Sequence, residues 1–236
     1  MPTVLVFQHA SPETLGVIAD ALGDRGLTTR YVHSFLEEPL PPDLSGIDAL
    51  VVMGGPMGVY DQGRMLFLKT EMQLIEQALK QKKPVLGVCL GSQMLATVLG
   101  ANVIRRKDRE IGWQRVQLSE NGIFDPLLKS IEPSFTAFHW HRDIFELPQG
   151  TVSLASSDMT EHQAFRYGEN AYGFLCHLEM TENMVREMIR LFSNELDEEK
   201  IDPTVLMEQG LQHHPPLERI GKEVFGRWAN LISPKG

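Results

Sequence analysis

Residues 84–93 read PVLGVCLGSQ, where a short apolar run turns at Cys89 into a segment whose apolar residues recur at helical spacing. This pattern predicts a buried strand that passes directly into a helix. Gly87 and Gly91 leave room for a sharp turn around the cysteine, as in the nucleophile elbow of the α/β-hydrolases. The alternative interpretation is a structural cysteine beside glycines that allow close packing of helix and strand.

The first hundred residues repeat this order of strand and helix. Apolar runs at 4–7, 28–32 and 49–53 predict three further strands. Residues 15–22 and 68–79 carry apolar side chains at helical spacing and predict the helices between these strands. Strands that alternate with helices predict an α/β fold with a parallel sheet.

The second half of the chain predicts short strands that extend the sheet in antiparallel fashion. They fall at 113–118, 135–139, 152–155, 163–167 and 171–176. A helix is expected from Glu182 with Thr181 as its N-cap, and a last helix carries the apolar residues between Leu217 and Leu231. The acidic stretch 194–202 is expected to be a solvated connection.

The composition limits the possible partners and the compartment. Among 236 residues, 31 acidic and 22 basic side chains give a formal charge of −9. This charge repels phosphate backbones and anionic lipids, so we expect no nucleic-acid partner and no membrane partner. No apolar stretch approaches the roughly 20 residues that span a bilayer. Two cysteines are too few for a disulfide framework, which fits a reducing, cytoplasmic location.

The organisation of the chain is that of one domain. It contains no internal repeat, no low-complexity tract and no linker between regions of different composition. We therefore expect residues 1–236 to form a single domain, in which 194–236 is a C-terminal helical extension.

Two further segments suit a cysteine nucleophile. Residues 172–179 read YGFLCHLE, and on an extended chain His177 and Glu179 point to one face while Cys176 points to the other. A carboxylate beside an imidazole fixes its tautomer and stabilises its protonated form, as the third member of a catalytic triad does. The glycines of GGP at 54–56 follow a predicted strand and can turn N–H groups toward a pocket. Taken alone, a structural histidine and an ordinary tight loop would be the simpler interpretations.

Histidines elsewhere in the chain raise the question of a metal. His139 and His141 alternate along a predicted strand, which suits metal ligands. No third ligand at a recognisable spacing accompanies them, so we predict no metal site and no cofactor. His213 and His214 are expected in an exposed loop.

In this order, the motifs resemble the class I (triad) glutamine amidotransferases. The elbow has the form G-x-C-x-G-x-Q, the glycine loop precedes it, and His-x-Glu follows it. Residues 110–113 (EIGW) and 139–143 (HWHRD) resemble more specifically the stand-alone, GMP synthase-like branch. The resemblance covers residues 1–193 and implies a flavodoxin-like, three-layer α/β/α fold with a central, mostly parallel sheet and antiparallel additions.

The resemblance also implies a reaction. Cys89 would attack the γ-amide of glutamine and form a γ-glutamyl thioester. His177 would take the thiol proton and donate it to the leaving ammonia, while Glu179 orients the imidazole. Water would then release glutamate.

Three more residues receive roles in the same way. The N–H groups of Gly55 and Leu90 would form the oxyanion hole, and Gln93 would help to hold the bound glutamine. The chain departs from the family at 175–178, where LCHL stands in place of the common QFHP. The triad members are kept, but the loss of the proline puts the path of the strand into the next helix in doubt.

Three interpretations remain open at this point. The first is a glutamine amidohydrolase that supplies ammonia to a separate synthetase or acceptor protein, because no ATP-pyrophosphatase segment and no phosphate loop is recognisable before Gly236. The second is a stand-alone γ-glutamyl peptidase or transferase that uses the same triad. The third is a catalytically idle scaffold, which an intact set of triad residues makes the weakest of the three.

Overall fold

The computed structural model describes residues 1–232, through which one nine-stranded sheet runs. The strands are β1 (Thr3–Gln8), β2 (Thr28–His33), β3 (Ala49–Val52), β4 (Val85–Val88), β5 (Val103–Leu118), β6 (Ser134–Phe145), β7 (Thr151–Ser157), β8 (Ala164–Tyr167) and β9 (Ala171–Phe174). The α-helices are α1 (Val17–Gly23), α2 (Leu66–Lys80), α3 (Leu90–Val98), α4 (Glu120–Phe124), α5 (Glu182–Leu191), α6 (Ser193–Glu199) and α7 (Pro203–Ala229).

Half of the sheet is parallel. Strands β2, β1, β3, β4 and β9 lie side by side in this order and run in one direction. Numbered among themselves, they have the order 2-1-3-4-5 that is typical of flavodoxin-like folds. All residues of β4 are buried, as expected for a central parallel strand covered on both faces.

The parallel strands contribute to two cores, because successive residues of a strand point to opposite faces of the sheet. Val4 and Val6 of β1 belong to a core that includes residues of α1, α5 and α7. Leu5 and Phe7 belong to a second core with residues of α2 and α3. Helices therefore cover both faces, and the predicted three-layer α/β/α fold is confirmed.

The other half of the sheet is antiparallel. Strands β8, β7, β5 and β6 follow β9 in this order. The prediction was wrong for β9, which pairs in parallel with β4 on one side and antiparallel with β8 on the other. Strands β5 and β6 are also longer than predicted, because the charged run 105–110 lacks the apolar alternation that marks a strand.

The C-terminal third contains one confirmed and two wrong predictions. Thr181 caps α5, and its hydroxyl accepts a hydrogen bond from the Met184 N–H at 3.2 Å. The predicted solvated connection at 194–202 instead contains α6. His213 and His214 lie inside α7 and not in an exposed loop, and a ring nitrogen of His214 lies 3.0 Å from the Met180 carbonyl oxygen.

Residues 233–236 of the predicted domain lie outside the described part of the chain. Within residues 1–232, no helix combines the length and the apolar character needed to cross a bilayer.

Candidate active site

The parallel strands bring the predicted site segments together at one edge of the sheet. Gly54 follows β3, Cys89 follows β4 and His177 follows β9, and these three strands are neighbours. The Cys89 N–H donates a 2.8 Å hydrogen bond to the carbonyl of Phe174, the last residue of β9. His177 is joined to Phe138 of β6 by an isolated β-bridge. The carboxyl edge of a parallel sheet is where such folds bind their ligands.

Cys89 occupies a strained turn. Its backbone has φ 48° and ψ −108°, which places a non-glycine residue at positive φ between β4 and α3. A Cβ on Gly87 would overlap the Gly91 carbonyl group, and a Cβ on Gly91 would overlap the Val52 carbonyl oxygen. Glycine is therefore required on both sides of the cysteine, where the sequence predicts the elbow.

His177 and Glu179 form a buried pair. The His177 Nδ1 lies 2.6 Å from Glu179 Oε1, and each side chain is only 1% exposed. Helix α1 fixes the backbone of Glu179, because the Val17 N–H donates to its carbonyl oxygen at 3.0 Å. Gly16 lies against the same carbonyl at φ 49°, where a Cβ would overlap the oxygen. With Nδ1 bonded to Glu179, Nε2 is the nitrogen left to exchange a proton with a nucleophile.

The thiol of Cys89 and the imidazole of His177 influence each other. Burial raises the pKa of Cys89, and the hydrogen bonding and charge of His177 oppose this only in part. Burial alone would lower the pKa of His177, but the Glu179 carboxylate and the Cys89 thiol raise it well above its usual value. His177 Nε2 nevertheless has no partner at strict hydrogen-bond geometry, and the Cys89 Sγ lies 3.8 Å from the Trp140 carbonyl oxygen. We had expected the histidine and the helix end to increase the thiolate fraction of Cys89, but burial outweighs them.

We expect iodoacetamide to modify Cys89 at least about 10-fold faster than Cys176, because a thiol that lines an open pocket is accessible and a packed one is inert. Cys89 lines the cavity at the sheet edge. Cys176 is 1% exposed and faces the Gln163 carbonyl, and burial raises its pKa well above the usual range. Mass spectrometry after limited labelling measures both rates, and a Cys176→Ala protein should label at the wild-type rate. Faster modification of Cys176 would contradict the assignment of the nucleophile.

The cavity around Cys89 contains two of the other predicted residues, Gly55 and Gln93. Leu90 is the first residue of α3, so its N–H belongs to the helical turn that has no intrahelical acceptor. Gln93 is buried, and its Nε2 donates to the Asp143 carbonyl at 3.1 Å. Its amide thus fixes β6 along the wall of the cavity, in addition to any contact with a substrate.

Glu13 is a site residue that the sequence did not reveal. It is 5% exposed, lines the same cavity and packs against Gly54 close to the Cys89 side chain. Burial raises the pKa of Glu13 to about 7, against the opposing charges of His177 and His9. A carboxyl group that titrates near neutrality can accept or donate a hydrogen bond to a substrate amide. Only the fold brings residue 13 to the elbow, so no local pattern could have identified it.

We expect Glu13→Gln to change the pH dependence of stability. The folded pKa of about 7 lies above the ordinary 4.5, so the native state holds an extra proton between these values. Wild-type stability therefore falls as pH rises through this window, by at most about 3 kcal/mol. The glutamine variant cannot ionise and should gain in unfolding free energy, relative to wild type, from pH 4.5 to pH 8. Denaturant melts test this, with Glu161→Gln as an exposed control; parallel curves for wild type and Glu13→Gln would contradict it.

Helix α6 closes one side of the cavity. Glu195 lines the cavity and accepts a 2.8 Å hydrogen bond from the Trp140 indole N–H. Arg109 forms ion pairs with Glu195, Glu198 and Glu199 at 3.5, 2.6 and 3.2 Å. The acidic stretch that the sequence suggested was solvated therefore binds the cations at the mouth of the site.

The chain matches a family model over most of its length. The model for "Glutamine amidotransferase class-I" covers residues 14–196. The glutamine amidotransferase-like protein YfeJ of Salmonella typhimurium is 35% identical over 191 residues, which are 80% of each chain. A glutamine-hydrolysing GMP synthase of Porphyromonas gingivalis is 32% identical over 195 residues, which are 82% of this chain but only 36% of that protein.

Solved structures extend the similarity into the C-terminal region. A glutamine amidotransferase of Thermotoga maritima is 34% identical and has a TM-score of 0.88, with 97% of this chain and 98% of that chain covered. A glutamine amidotransferase of Methylobacillus flagellatus is 28% identical and has a TM-score of 0.91, with 100% and 97% covered. With its strained cysteine elbow at the edge of a flavodoxin-like sheet, the chain belongs to the class I glutamine amidotransferase family.

Proposed function

We propose that this protein hydrolyses the γ-amide of glutamine with a catalytic triad of Cys89, His177 and Glu179. The observation that carries the proposal is the 2.6 Å contact between His177 Nδ1 and Glu179 Oε1, in a pair that is almost fully buried. A carboxylate in this position holds the imidazole with Nε2 available and stabilises its protonated form. The nucleophile, at a positive φ in a tight turn, is held in the strained geometry that suits an elbow.

Each residue has one task in the proposed reaction. The sulfur of Cys89 bonds to the γ-carbonyl carbon while its proton passes to His177 Nε2. The N–H groups of Gly55 and Leu90 stabilise the oxyanion. When the C–N bond breaks, His177 returns the proton to the leaving group, which departs as ammonia. Water then adds to the thioester with His177 as base, and glutamate and the free thiol are released.

The use of the ammonia belongs to the same proposal. GMP synthases among the relatives are much longer than the matched region, so we propose that a separate synthetase protein accepts the ammonia here. The net charge of −9 supports a small-molecule substrate and a protein partner over nucleic acid or a membrane. The proposal includes a single domain over residues 1–236 and a cytoplasmic location, where a nucleophilic thiol stays reduced.

A second candidate is a stand-alone γ-glutamyl peptidase, which the mouth of the cavity favours. Arg105 lines the cavity but is exposed, and its guanidinium donates to the Tyr60 hydroxyl at 2.5 Å. Tyr60 in turn donates to Asp143 at 2.8 Å. A γ-glutamyl dipeptide carries a second carboxylate beyond the scissile amide, and a guanidinium can bind a carboxylate with two parallel hydrogen bonds.

A substrate screen separates the two candidates. Glutamate release from glutamine and from γ-glutamyl dipeptides is measured for wild type, Arg105→Gln and the matched control Arg106→Gln. For an amidohydrolase, we expect glutamine to be the better substrate and Arg105→Gln to change kcat/KM by less than about threefold. A peptidase would prefer the dipeptide and lose about 10-fold in kcat/KM through KM, since a charge-assisted hydrogen bond contributes about 1.5 kcal/mol. No glutamate release from either substrate by wild type, while Cys89 remains alkylatable, would count against both.

A further inference from the structure

Glu110, His139 and His141 form a buried cluster on neighbouring strands. In the antiparallel pair of β5 and β6, Glu110 lies directly opposite His141, and His139 lies two residues further along, opposite Gly112. Residues two apart on a strand share a face, so the carboxylate and both imidazoles project to the same side of the sheet. All three side chains are buried. The cross-strand pairing thus supplies the third ligand that the sequence did not show.

The distances within this cluster suit ligands of one ion better than hydrogen bonds. Glu110 Oε1 lies 3.5 Å from His139 Nδ1, and Glu110 Oε2 lies 3.4 Å from His141 Nε2. The donor atoms of the three residues all lie within 4.8 Å of one another. Ligands about 2.0–2.1 Å from a tetrahedral zinc ion are separated from each other by about 3.4 Å. Good N–H···O hydrogen bonds are shorter, at about 2.7–3.2 Å.

His139 gives an independent indication of a ligand. It is 0% exposed, and neither of its ring nitrogens has a hydrogen-bond partner. The backbone of Gln114 raises its pKa slightly but makes no bond of ordinary geometry. A buried polar group without a partner is costly and calls for a water or an ion. Burial lowers the pKa of His139 well below its usual value and that of His141 to about 3, so both rings are neutral and keep a lone pair.

We propose that Glu110, His139 and His141 bind one divalent transition-metal ion of the Zn²⁺ type. Two imidazoles and one carboxylate with an open fourth position are a known ligand set for such ions. His141 also lines the cavity of Cys89, which gives the ion a route of entry and space for a water ligand. The inference concerns a site separate from the triad and does not depend on the proposed function.

The surroundings of Glu110 support this role. The Thr160 hydroxyl donates to Glu110 Oε2 at 2.8 Å, and Gln163 Nε2 donates to the same oxygen at 3.0 Å. Hydrogen bonds of this kind orient a metal-binding carboxylate. Gln163 Nε2 also lies 3.4 Å from His141 Nε2, a contact that the amide must give up when the ion binds. Since Oε1 accepts neither bond, it is the oxygen left for the metal.

The first test measures stoichiometry and the kind of ligand. Full-length protein is treated with a chelator, dialysed and loaded with Zn²⁺ or Co²⁺, as wild type and as Cys89→Ala. We expect elemental analysis to give one ion per chain in both proteins. The cobalt form should show visible d–d absorption without a thiolate-to-metal charge-transfer band. Loss of the ion in Cys89→Ala would overturn the proposal, because the ion would then belong to the catalytic thiol.

The second test assigns the ligands. We expect His139→Gln and Glu110→Gln to weaken Zn²⁺ binding by about 100-fold or more in calorimetric titration. His33→Gln, a histidine on β2 remote from this cluster, should stay within about twofold of wild type. Wild-type binding weaker than about 10 µM, or unchanged binding in both ligand variants, would overturn the proposal. If a ligand variant does not fold, the cobalt spectrum of Cys89→Ala decides, and a spectrum without d–d bands rules the site out.

Discussion

Replacing Cys89 with alanine is expected to reduce glutamate release from glutamine to the uncatalysed rate. Without the sulfur no thioester forms, and the remaining His177–Glu179 pair has no group to deprotonate. In triad enzymes, loss of the nucleophile costs about 10⁶ in kcat, and only binding and the oxyanion hole remain. The measurement is glutamate release from glutamine and from a γ-glutamyl dipeptide, with wild-type and variant protein at equal concentration.

The matched control for this variant is Cys176→Ala. Cys176 is buried one residue before His177, and its sulfur faces the Gln163 carbonyl at 3.9 Å. Its loss removes a small packed group without touching the proposed chemistry, so kcat/KM should stay within about threefold. Glutamate release that survives Cys89→Ala undiminished would overturn the mechanism. The same result for Cys176→Ala is the expected one.

Glu179→Gln should lower kcat/KM by about 10³, less than the loss of the nucleophile. In serine enzymes the orienting carboxylate contributes about 10⁴, but a thiol starts closer to ionisation than a hydroxyl does. A glutamine can still accept the His177 Nδ1–H bond, so the loss comes mainly from the missing negative charge. Because that charge raises the pKa of His177, the acidic limb of the kcat/KM profile should also move to lower pH.

Two measurements separate catalysis from folding for this variant. Glu179 is 1% exposed, so its thermal unfolding is compared with that of wild type and of Glu182→Gln, an exposed carboxylate at the start of α5. Steady-state kinetics are then recorded only where all three proteins are folded. A folded Glu179→Gln protein with wild-type kcat/KM and an unshifted pH profile would remove Glu179 from the triad.

Local sequence predicted the elements that depend on local pattern. The fully apolar β4 and the helical spacing after Cys89 follow from side-chain periodicity, and Gly87 and Gly91 follow from the steric demand of the turn. The spacing of His177 and Glu179 also follows from the chain itself, since residues two apart on an extended segment share a face. These features needed no knowledge of which strands pair.

Strand pairing decided what periodicity could not predict. An apolar run such as β9 looks the same whether it pairs in parallel or antiparallel, and only the whole sheet places it beside β4. The charged start of β5 carries no strand signal, yet its pairing with β6 brings Glu110 to His141. Likewise, the acidic residues of α6 appear solvated in sequence because their partner, Arg109, is about 90 positions away.

The electrostatic character of the site was also decided by tertiary structure. The sequence identified Cys89, His177 and Glu179 as candidates, but the degree of burial around them is a property of the packed fold. That burial raises the pKa of Cys89 despite the nearby histidine, and it raises that of Glu13 to about 7. Removing a charged group from water is costly whatever its neighbours in sequence, so these shifts follow from the three-dimensional packing alone.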